Sequence, residues 1–321
     1  MKPAKKPEKI AETLNKNLER LMPVVTPTGV ILGFLFPGVF IWFRPFVPWF
    51  FALMTLSGAL KLQARQLGNS MRNPIPILLY FVSAHALMPL LVLFVAGIIF
   101  RGDPDTIVGY VLFYASPAAV TAFIWVTIFR GDLALALALI LLDTLLAPLV
   151  MPGTVSLLLG TKVSLDMTGM ALSLVIMVVL PTIIGITTNE TSRGKIPALL
   201  CPYLNPISKL LIVLVMAANA SAVSPHVHLN NIKVWLILFF SICFSIMSFL
   251  MAKLTSVFAR LVLQKRISLF FVTGLRNTVA ASTIAITYFP EAAAQPAIFG
   301  IMFQQVMAAF MGKFLIRQKN K

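Results

Sequence analysis

The sequence predicts an all-α polytopic membrane protein with ten transmembrane helices. Its composition, the spacing of its apolar runs and the placement of its basic residues all indicate this class. Of the 321 residues, 59% are hydrophobic and only 11% are charged, and the mean hydropathy is +0.93. A soluble domain needs more polar surface than this, so lipid is the expected solvent for most of the chain.

Ten apolar runs are long enough to cross a hydrocarbon core that is about 30 Å thick. Charged or turn-forming residues separate the runs. The predicted spans lie at 23–43, 46–62, 75–100, 107–129, 133–159, 167–188, 205–224, 232–252, 268–289 and 293–315. Pro117, Pro148 and Pro181 fall inside spans, where lipid tolerates proline only if protein or a cavity re-satisfies the backbone.

The 26 Lys and Arg residues are unevenly distributed over the predicted loops. With the N-terminus placed inside, 21 lie in inner segments, 4 lie in outer loops, and Arg276 lies within a span. Basic residues collect in cytoplasmic loops, so both termini are predicted to be cytoplasmic. One missed span would move every later loop to the other side of the membrane and destroy this bias. The bias therefore favours an even number of spans. Residues 1–22 are interpreted as a basic cytoplasmic segment rather than a cleaved signal.

The two halves of the chain show a weak internal similarity. Residues 121–136 align with 281–296 when the chain is shifted by about half its length, with isoleucine, threonine and phenylalanine at matching positions. The aligned segments join spans four and five in one half and spans nine and ten in the other. We therefore predict two five-helix repeats, 23–159 and 160–321, which are inverted because each contains an odd number of spans.

A helix-disrupting residue interrupts the same place in each repeat. "YASPAAVTA" (114–122) contains Pro117, and "VTGLRNTVAAS" (272–282) contains Gly274. Inverted repeats with broken helices are typical of transporters that bind substrate near the bilayer midplane and work by alternating access. The alternative is that these small residues only allow close packing of helices.

Three stretches resemble the bile acid:sodium symporter family: "AHALMPLL" at 84–91, the segment 116–152 beginning "SPAAVTAF", and the segment 272–309 beginning "VTGLRNTV". The resemblance follows span order over nearly the whole chain. It implies a panel domain of spans 1, 2, 6 and 7 and a core domain of spans 3–5 and 8–10, with spans 4 and 9 crossing where they unwind. The crossing backbone then includes Ser116, Pro117 and Gly274.

The resemblance also implies a secondary transporter of an organic anion, such as a bile acid, a steroid sulfate or a smaller carboxylate. However, the positions that match the family's sodium-coordinating side chains are apolar here. They are Ala122, Phe123, Ala136, Ile140 and Val272. Arg276 stands where the family has a glutamine, and His85 stands at the position of a glutamine in span three.

Sodium prefers oxygen ligands, and a guanidinium at ~4 Å would repel it by about 4 kcal/mol at an effective dielectric of 20. We therefore expect sodium coupling to be lost, with Arg276 replacing the bound cation. Two alternatives stay open. The chain could be a sodium- or proton-coupled symporter, or a membrane receptor that binds a small anion without transporting it.

Three ionisable residues lie inside predicted spans. A charged side chain there costs free energy, so each of the three is a functional candidate by default. They are His85, Asp143 and Arg276. Arg276 either pairs with Asp143 and holds the crossing closed, or it balances the charge of an anionic substrate. His85 and Asp143 are candidates to carry a proton.

Further polar residues near the crossing complete the set of substrate or coupling candidates. The resemblance implies Asn277, Gln304 and Gln305, and position alone adds Thr121, Ser282 and Thr283. The alternative role for all six is hydrogen bonding between helices.

Other functional classes find little support in the sequence. Phosphate-binding glycine motifs, HExxH and a Ser-His-Asp pattern are absent, so an enzyme is not expected. The pair His226 and His228 offers too few ligands for a metal, and Cys201 and Cys243 have no metal-binding spacing. The net charge of +16 follows from the inner loops and does not indicate nucleic acid. The expected partners are a small organic anion and the bilayer of the cell membrane, with no cofactor.

Overall fold

The computed structural model describes residues 6–63, 74–160 and 166–317. These residues form helices and turns, apart from one isolated antiparallel bridge between Ala118 and Arg276. The helices are α1 Lys6–Leu35, α2 Pro37–Ala59, α3 Ile75–Ile99, α4 Pro104–Ala115, α5 Ala122–Ile128, α6 Leu133–Leu159, α7 Met167–Thr191, α8 Lys195–Val223, α9 Ile232–Phe258, α10 Leu263–Gly274, α11 Thr278–Tyr288 and α12 Gln295–Arg317.

Within the described ranges, seven helical stretches are long and apolar enough to cross a membrane. They correspond to α2, α3, α6, α7, α8, α9 and α12. The chain is therefore an all-helical, multi-span membrane protein. The predicted spans four and nine are each divided, into α4 with α5 and into α10 with α11.

Two helices have limits that differ clearly from those of the predicted spans. The first span was placed at 23–43, but α1 runs from Lys6 to Leu35 and so begins within the predicted N-terminal segment. Phe36 ends this helix with φ −128° and ψ 54°, and the following proline disfavours the α region at this residue. The seventh span was placed at 205–224, yet α8 already begins at Lys195 and continues through two prolines.

The described residues form two compact units. The first unit falls within Met1–Ala64 and Ser173–Ser224 and contains α1, α2, most of α7, and α8. In it, α1 packs along α8 at a distance that only glycine allows. A Cβ on Gly29 would lie 2.6 Å from the carbonyl oxygen of Val213, and Gly33 faces the backbone of Ala217 in the same way.

The second unit falls within Arg65–Leu172 and Pro225–Lys321 and contains α3 to α6 and α9 to α12. Phe249, Phe270 and Phe271 lie at the centre of its core and are fully buried. Side chains fix where its helices begin. The Asp132 carboxylate accepts the Leu135 N–H over 3.0 Å at the start of α6, as an N-cap residue does.

Gly29→Ala should lower the stability of the first unit, because the added methyl group meets the helical backbone of α8 and not a movable side chain. Overpacking of this kind costs about 1–3 kcal/mol. Thermal unfolding of the purified protein in detergent measures the effect. Gly38→Ala is the matched control, since no atom lies within 4 Å of its Cβ position. Equal melting temperatures for the two variants would contradict the close approach of α1 and α8.

Candidate functional site

Two unwound segments cross in the second unit. Residues 116–121 separate α4 from α5, and 275–277 separate α10 from α11. The segments pair with each other: the Ala119 N–H donates to the Leu275 carbonyl over 2.8 Å, and the Asn277 N–H donates to the Pro117 carbonyl over 2.7 Å. Backbone groups released from the helices thus find partners in the opposite segment, which the absence of water in a bilayer demands.

Arg276 lies in the middle of this crossing and is only 1% exposed. Its extended backbone pairs with Ala118, and its carbonyl accepts the side-chain amide of Gln304 over 2.9 Å. α11 begins immediately afterwards, where the Asn277 side chain accepts the Ala280 N–H over 3.0 Å. The fold therefore holds the arginine backbone on both sides before its guanidinium makes any contact.

The Asp143 side chain, from α6, is fully buried and accepts three hydrogen bonds. One carboxylate oxygen lies 2.7 Å from His85 Nε2. The other accepts the Ala118 N–H over 2.6 Å and the hydroxyl of Tyr80. This carboxylate therefore binds the α4–α5 crossing segment directly to α3 and α6.

The guanidinium of Arg276 completes a closed ring of four side chains, which we call the charge ring: Tyr80, His85, Asp143 and Arg276. Arg276 Nη1 donates to the Tyr80 hydroxyl over 3.3 Å. Nη2 lies 3.4 Å from Nδ1 and 3.5 Å from Nε2 of His85. A nitrogen almost equidistant from both ring nitrogens must lie above the face of the imidazole, because an in-plane position would collide with the carbon between them.

Arg276 and Asp143 are thus linked through Tyr80 and His85, and the ion pairs of the described residues include no direct bridge between them. This geometry favours a neutral His85, since a second cation would lie against the guanidinium. The neutral imidazole donates from Nε2 to Asp143. The ring then contains one positive and one negative charge, held apart by two neutral bridging groups.

A π turn makes the ring possible. Residues Val82–Leu87 of α3 form this wider turn. In a regular α-helix, with about 3.6 residues per turn, positions five apart point to different sides. The i→i+5 bonding of a π turn brings such positions towards one face, and π turns recur at functional sites. Tyr80 and His85 are five residues apart and both reach Asp143.

Two polar atoms of the segment that leads into the crossing have no hydrogen-bond partner among the described residues. They are Nε of Arg276 and Oγ1 of Thr273, and both are buried. The carbonyl of Thr273 accepts the Ser248 hydroxyl over 2.9 Å. The Nε–H of the guanidinium therefore has no acceptor among the described residues, whereas Nη1 and Nη2 both contact the ring.

The other predicted candidates lie around the crossing. The amide of Gln305 donates to Thr121 over 3.2 Å and accepts the indole N–H of Trp125 over 2.8 Å. The hydroxyl of Ser282 donates to the Val279 carbonyl over 3.2 Å.

Thr283 is buried in α11, and its carbonyl accepts the Thr287 hydroxyl over 2.8 Å. The Ser116 hydroxyl donates back to the Phe113 carbonyl over 2.6 Å. Gly274 ends α10 directly beneath the ring of Phe249. These hydrogen bonds join the residues to neighbouring turns of their own helices.

The positions predicted to have lost sodium ligands are apolar and mostly buried. Ala122, Ala136, Ile140 and Val272 are at most 1% exposed, and Phe123 is half-buried. Ala136, Ile140 and Val272 belong to the same apolar core cluster as Tyr80. His226 lies elsewhere, 4.0 Å from Glu291 at the end of α8, and the described residues contain no group of three metal-binding side chains.

Sequence reasoning missed Tyr80. It is a tyrosine in a long apolar run, which is a weak signal by itself, and α-helical periodicity does not place it beside His85. The π turn supplies that proximity.

Comparison with known proteins shows which family the chain belongs to. The sequence model of the sodium bile acid symporter family matches residues 48–227, more than half of the chain. The chain belongs to the sodium bile acid symporter family. Family members and structural neighbours are transporters, not enzymes. The chain is 35% identical over 303 residues to the uncharacterized protein YbaS of Bacillus subtilis, covering 94% of this chain and 98% of that protein.

More distant relatives carry transporter names. The uncharacterized sodium-dependent transporter YocS of Bacillus subtilis is 25% identical over 272 residues, covering 84% of this chain and 83% of its own length. Among solved structures, the sodium proton antiporter MjNhaP1 of Methanocaldococcus jannaschii has the same fold. Its TM-score is 0.54 at 12% identity, and the match covers 96% of this chain and 97% of the antiporter.

Asp143→Asn should destabilise the protein strongly, because it leaves Arg276 buried without a countercharge. Breaking a buried pair in this way costs about 3–5 kcal/mol. Asp143→Asn combined with Arg276→Gln should recover a large part of this loss, since no net charge then remains in the ring. Thermal unfolding of the two single variants and the double variant gives the coupling as a double-mutant cycle. Simple addition of the two single losses would show that the two charges do not interact.

Proposed function

We propose that this chain is a secondary transporter of a small organic anion, in which Arg276 takes the place of a bound sodium ion. The observation that carries the proposal is a permanent cation buried where two interrupted helices cross. Interrupted helices at corresponding positions of two repeats are typical of alternating-access transporters. We include in the proposal ten spans in two inverted repeats, with both termini cytoplasmic and the two units acting as panel and core.

The local chemistry supports the replacement of sodium. A guanidinium supplies the positive charge, and its N–H groups contact the Tyr80 hydroxyl and the imidazole of His85. The surrounding positions Ala136, Ile140 and Val272 offer no side-chain oxygen to a cation. The nearby carboxylate, Asp143, already accepts three hydrogen bonds. A sodium ion would have to compete with all three donors and with the charge of Arg276.

An anionic substrate has a specific place to interact. The Nε of Arg276 is an unused donor of the guanidinium, and such a donor in a low-dielectric site attracts a carboxylate or sulfate oxygen. Cargo of the family type, such as a bile acid, a steroid sulfate or a small carboxylate, carries such a group. An opening movement of the crossing would expose this donor to the substrate.

The first test is a thermal-stability screen with taurocholate, a steroid sulfate and pantoate, each in sodium chloride and in choline chloride. We expect at least one anion to raise the melting temperature equally in both salts. Arg276→Lys should retain part of this effect, and Arg276→Ala with Asp143→Asn should lose it while staying folded. A rise that requires sodium would refute the replacement of the ion, and a rise that survives in the double variant would refute the role of Arg276.

Flux of the stabilising anion into proteoliposomes then separates a transporter from a binding protein. We expect uptake without a sodium gradient. Anion binding without uptake would instead indicate a membrane receptor.

Proton coupling is a second candidate function, favoured by the 2.7 Å contact between His85 and Asp143. In this mechanism, opening of the charge ring would remove the guanidinium from the imidazole face and allow His85 to take a proton. An inward proton gradient should then accelerate uptake in sodium-free proteoliposomes, and His85→Gln should abolish the acceleration. Uptake that is independent of the pH gradient would reject this mechanism.

A further inference from the structure

Three helices end on an arginine in the left-handed backbone region. The φ angles are 59° at Arg130 after α5, 50° at Arg193 after α7, and 53° at Arg260 after α9. Across the described ranges, these are the non-glycine residues with positive φ. A side chain in this conformation crowds the backbone, so glycine is the usual residue.

Each of these ends has the hydrogen bonds of a Schellman motif, with the arginine in the position that glycine normally occupies. At the end of α9, the Arg260 N–H donates to Val257 over 2.9 Å, and the following N–H donates to Ser256 over 3.2 Å. The same pair of bonds surrounds Arg130 and Arg193. Glycine would close all three ends without strain.

A helix end alone does not explain the choice of arginine. A cation near a helix C-terminus interacts favourably with the helix dipole. An arginine within the last helical turn would have this interaction with an ordinary helical backbone and no left-handed strain. The chain also uses glycine at positive φ elsewhere, at Gly102 and Gly160. A use of the arginine side chains outside the helix that they terminate would account for this choice.

Two of the three arginine turns lie side by side in the second unit. The Asp132 N–H, just after Arg130, donates to the Gln264 carbonyl over 3.1 Å. The Ser268 hydroxyl donates to the Asp132 carbonyl over 2.8 Å. The α5–α6 turn is thereby fixed against the first turns of α10, which begins three residues after Arg260.

The two turns and the start of α10 contain four basic residues, which we call the basic patch: Arg130, Arg260, Lys265 and Arg266. The two arginines at the turns are exposed, and the other two side chains are half-buried. The carboxylate of Asp132 beside them is used as the cap of α6. None of the ion pairs among the described residues involves the patch. Arg266 Nε donates to the Leu261 carbonyl over 2.5 Å, and an anion from outside the chain would offset the like charges of the four side chains.

The position of the patch relative to the membrane-crossing helices indicates which kind of anion would bind there. The turns join the ends of the membrane-crossing helices α6 and α9, and exposed cations at such ends lie at the level of the lipid headgroups. The planar guanidinium matches a phosphate with two parallel hydrogen bonds. We infer that the basic patch binds the phosphate of an anionic phospholipid such as phosphatidylglycerol.

The test compares wild type with Arg130→Gly/Arg260→Gly in nanodiscs of phosphatidylcholine, with and without phosphatidylglycerol. In phosphatidylcholine alone, the glycine variant should melt at the same or a higher temperature than wild type, because the strain is relieved. Phosphatidylglycerol should raise the melting temperature of wild type, and the variant should lose roughly half or more of that rise. Arg130→Lys/Arg260→Lys keeps the charge and should retain an intermediate rise.

Three results would overturn the inference. One is a glycine variant that responds to phosphatidylglycerol as wild type does. Another is a glycine variant that melts at a lower temperature in phosphatidylcholine alone, which would make the arginines purely structural. The third is a rise produced by soluble glycerol phosphate in phosphatidylcholine nanodiscs that equals the effect of phosphatidylglycerol, since the occupant would then be a soluble phosphate.

Discussion

The buried charge of Arg276 is the constraint on which the rest of the second unit depends. Removing a guanidinium from water costs several kcal/mol, and only a nearby opposite charge with good hydrogen bonding compensates for it. Asp143 supplies that charge, but Tyr80 and His85 stand between the two residues. Four side chains from three separate segments must therefore be in place together. This requirement explains why α3 contains a π turn and why both crossing segments are held so closely.

The crossing also solves a problem that any unwound backbone has in lipid. Each interrupted helix leaves N–H and carbonyl groups without partners, and hydrocarbon provides none. The two interruptions pair with each other through Ala119 with Leu275 and Asn277 with Pro117. Asp143 accepts the N–H of Ala118, and Gln304 donates to the carbonyl of Arg276. The same groups that bury the charge therefore also stabilise the break in the helices.

Within a family of sodium symporters, this arrangement has a consequence for coupling. A mobile ion leaves its site during each transport cycle, whereas a guanidinium stays attached to the chain. A carrier of the proposed kind would hold a constant positive charge at the crossing in every state. The driving force would then come from the gradient of the anion, from the membrane potential, or from protons through His85. Basic residues at the helix ends have a separate role in our proposals, directed at the lipid surface.

The sequence by itself determined the membrane class, the helical content and the family, because these depend on composition, apolar run length and local motifs. It also identified three of the four charge-ring residues, since an ionisable group in an apolar run is conspicuous. Only the tertiary structure added Tyr80, because a π turn changes which positions share a helix face. It also decided that Arg276 reaches Asp143 through two neutral groups, and that α1 ends at Leu35. Distances between side chains on separate helices, and the conformation of a residue beside a proline, depend on packing that no local pattern records.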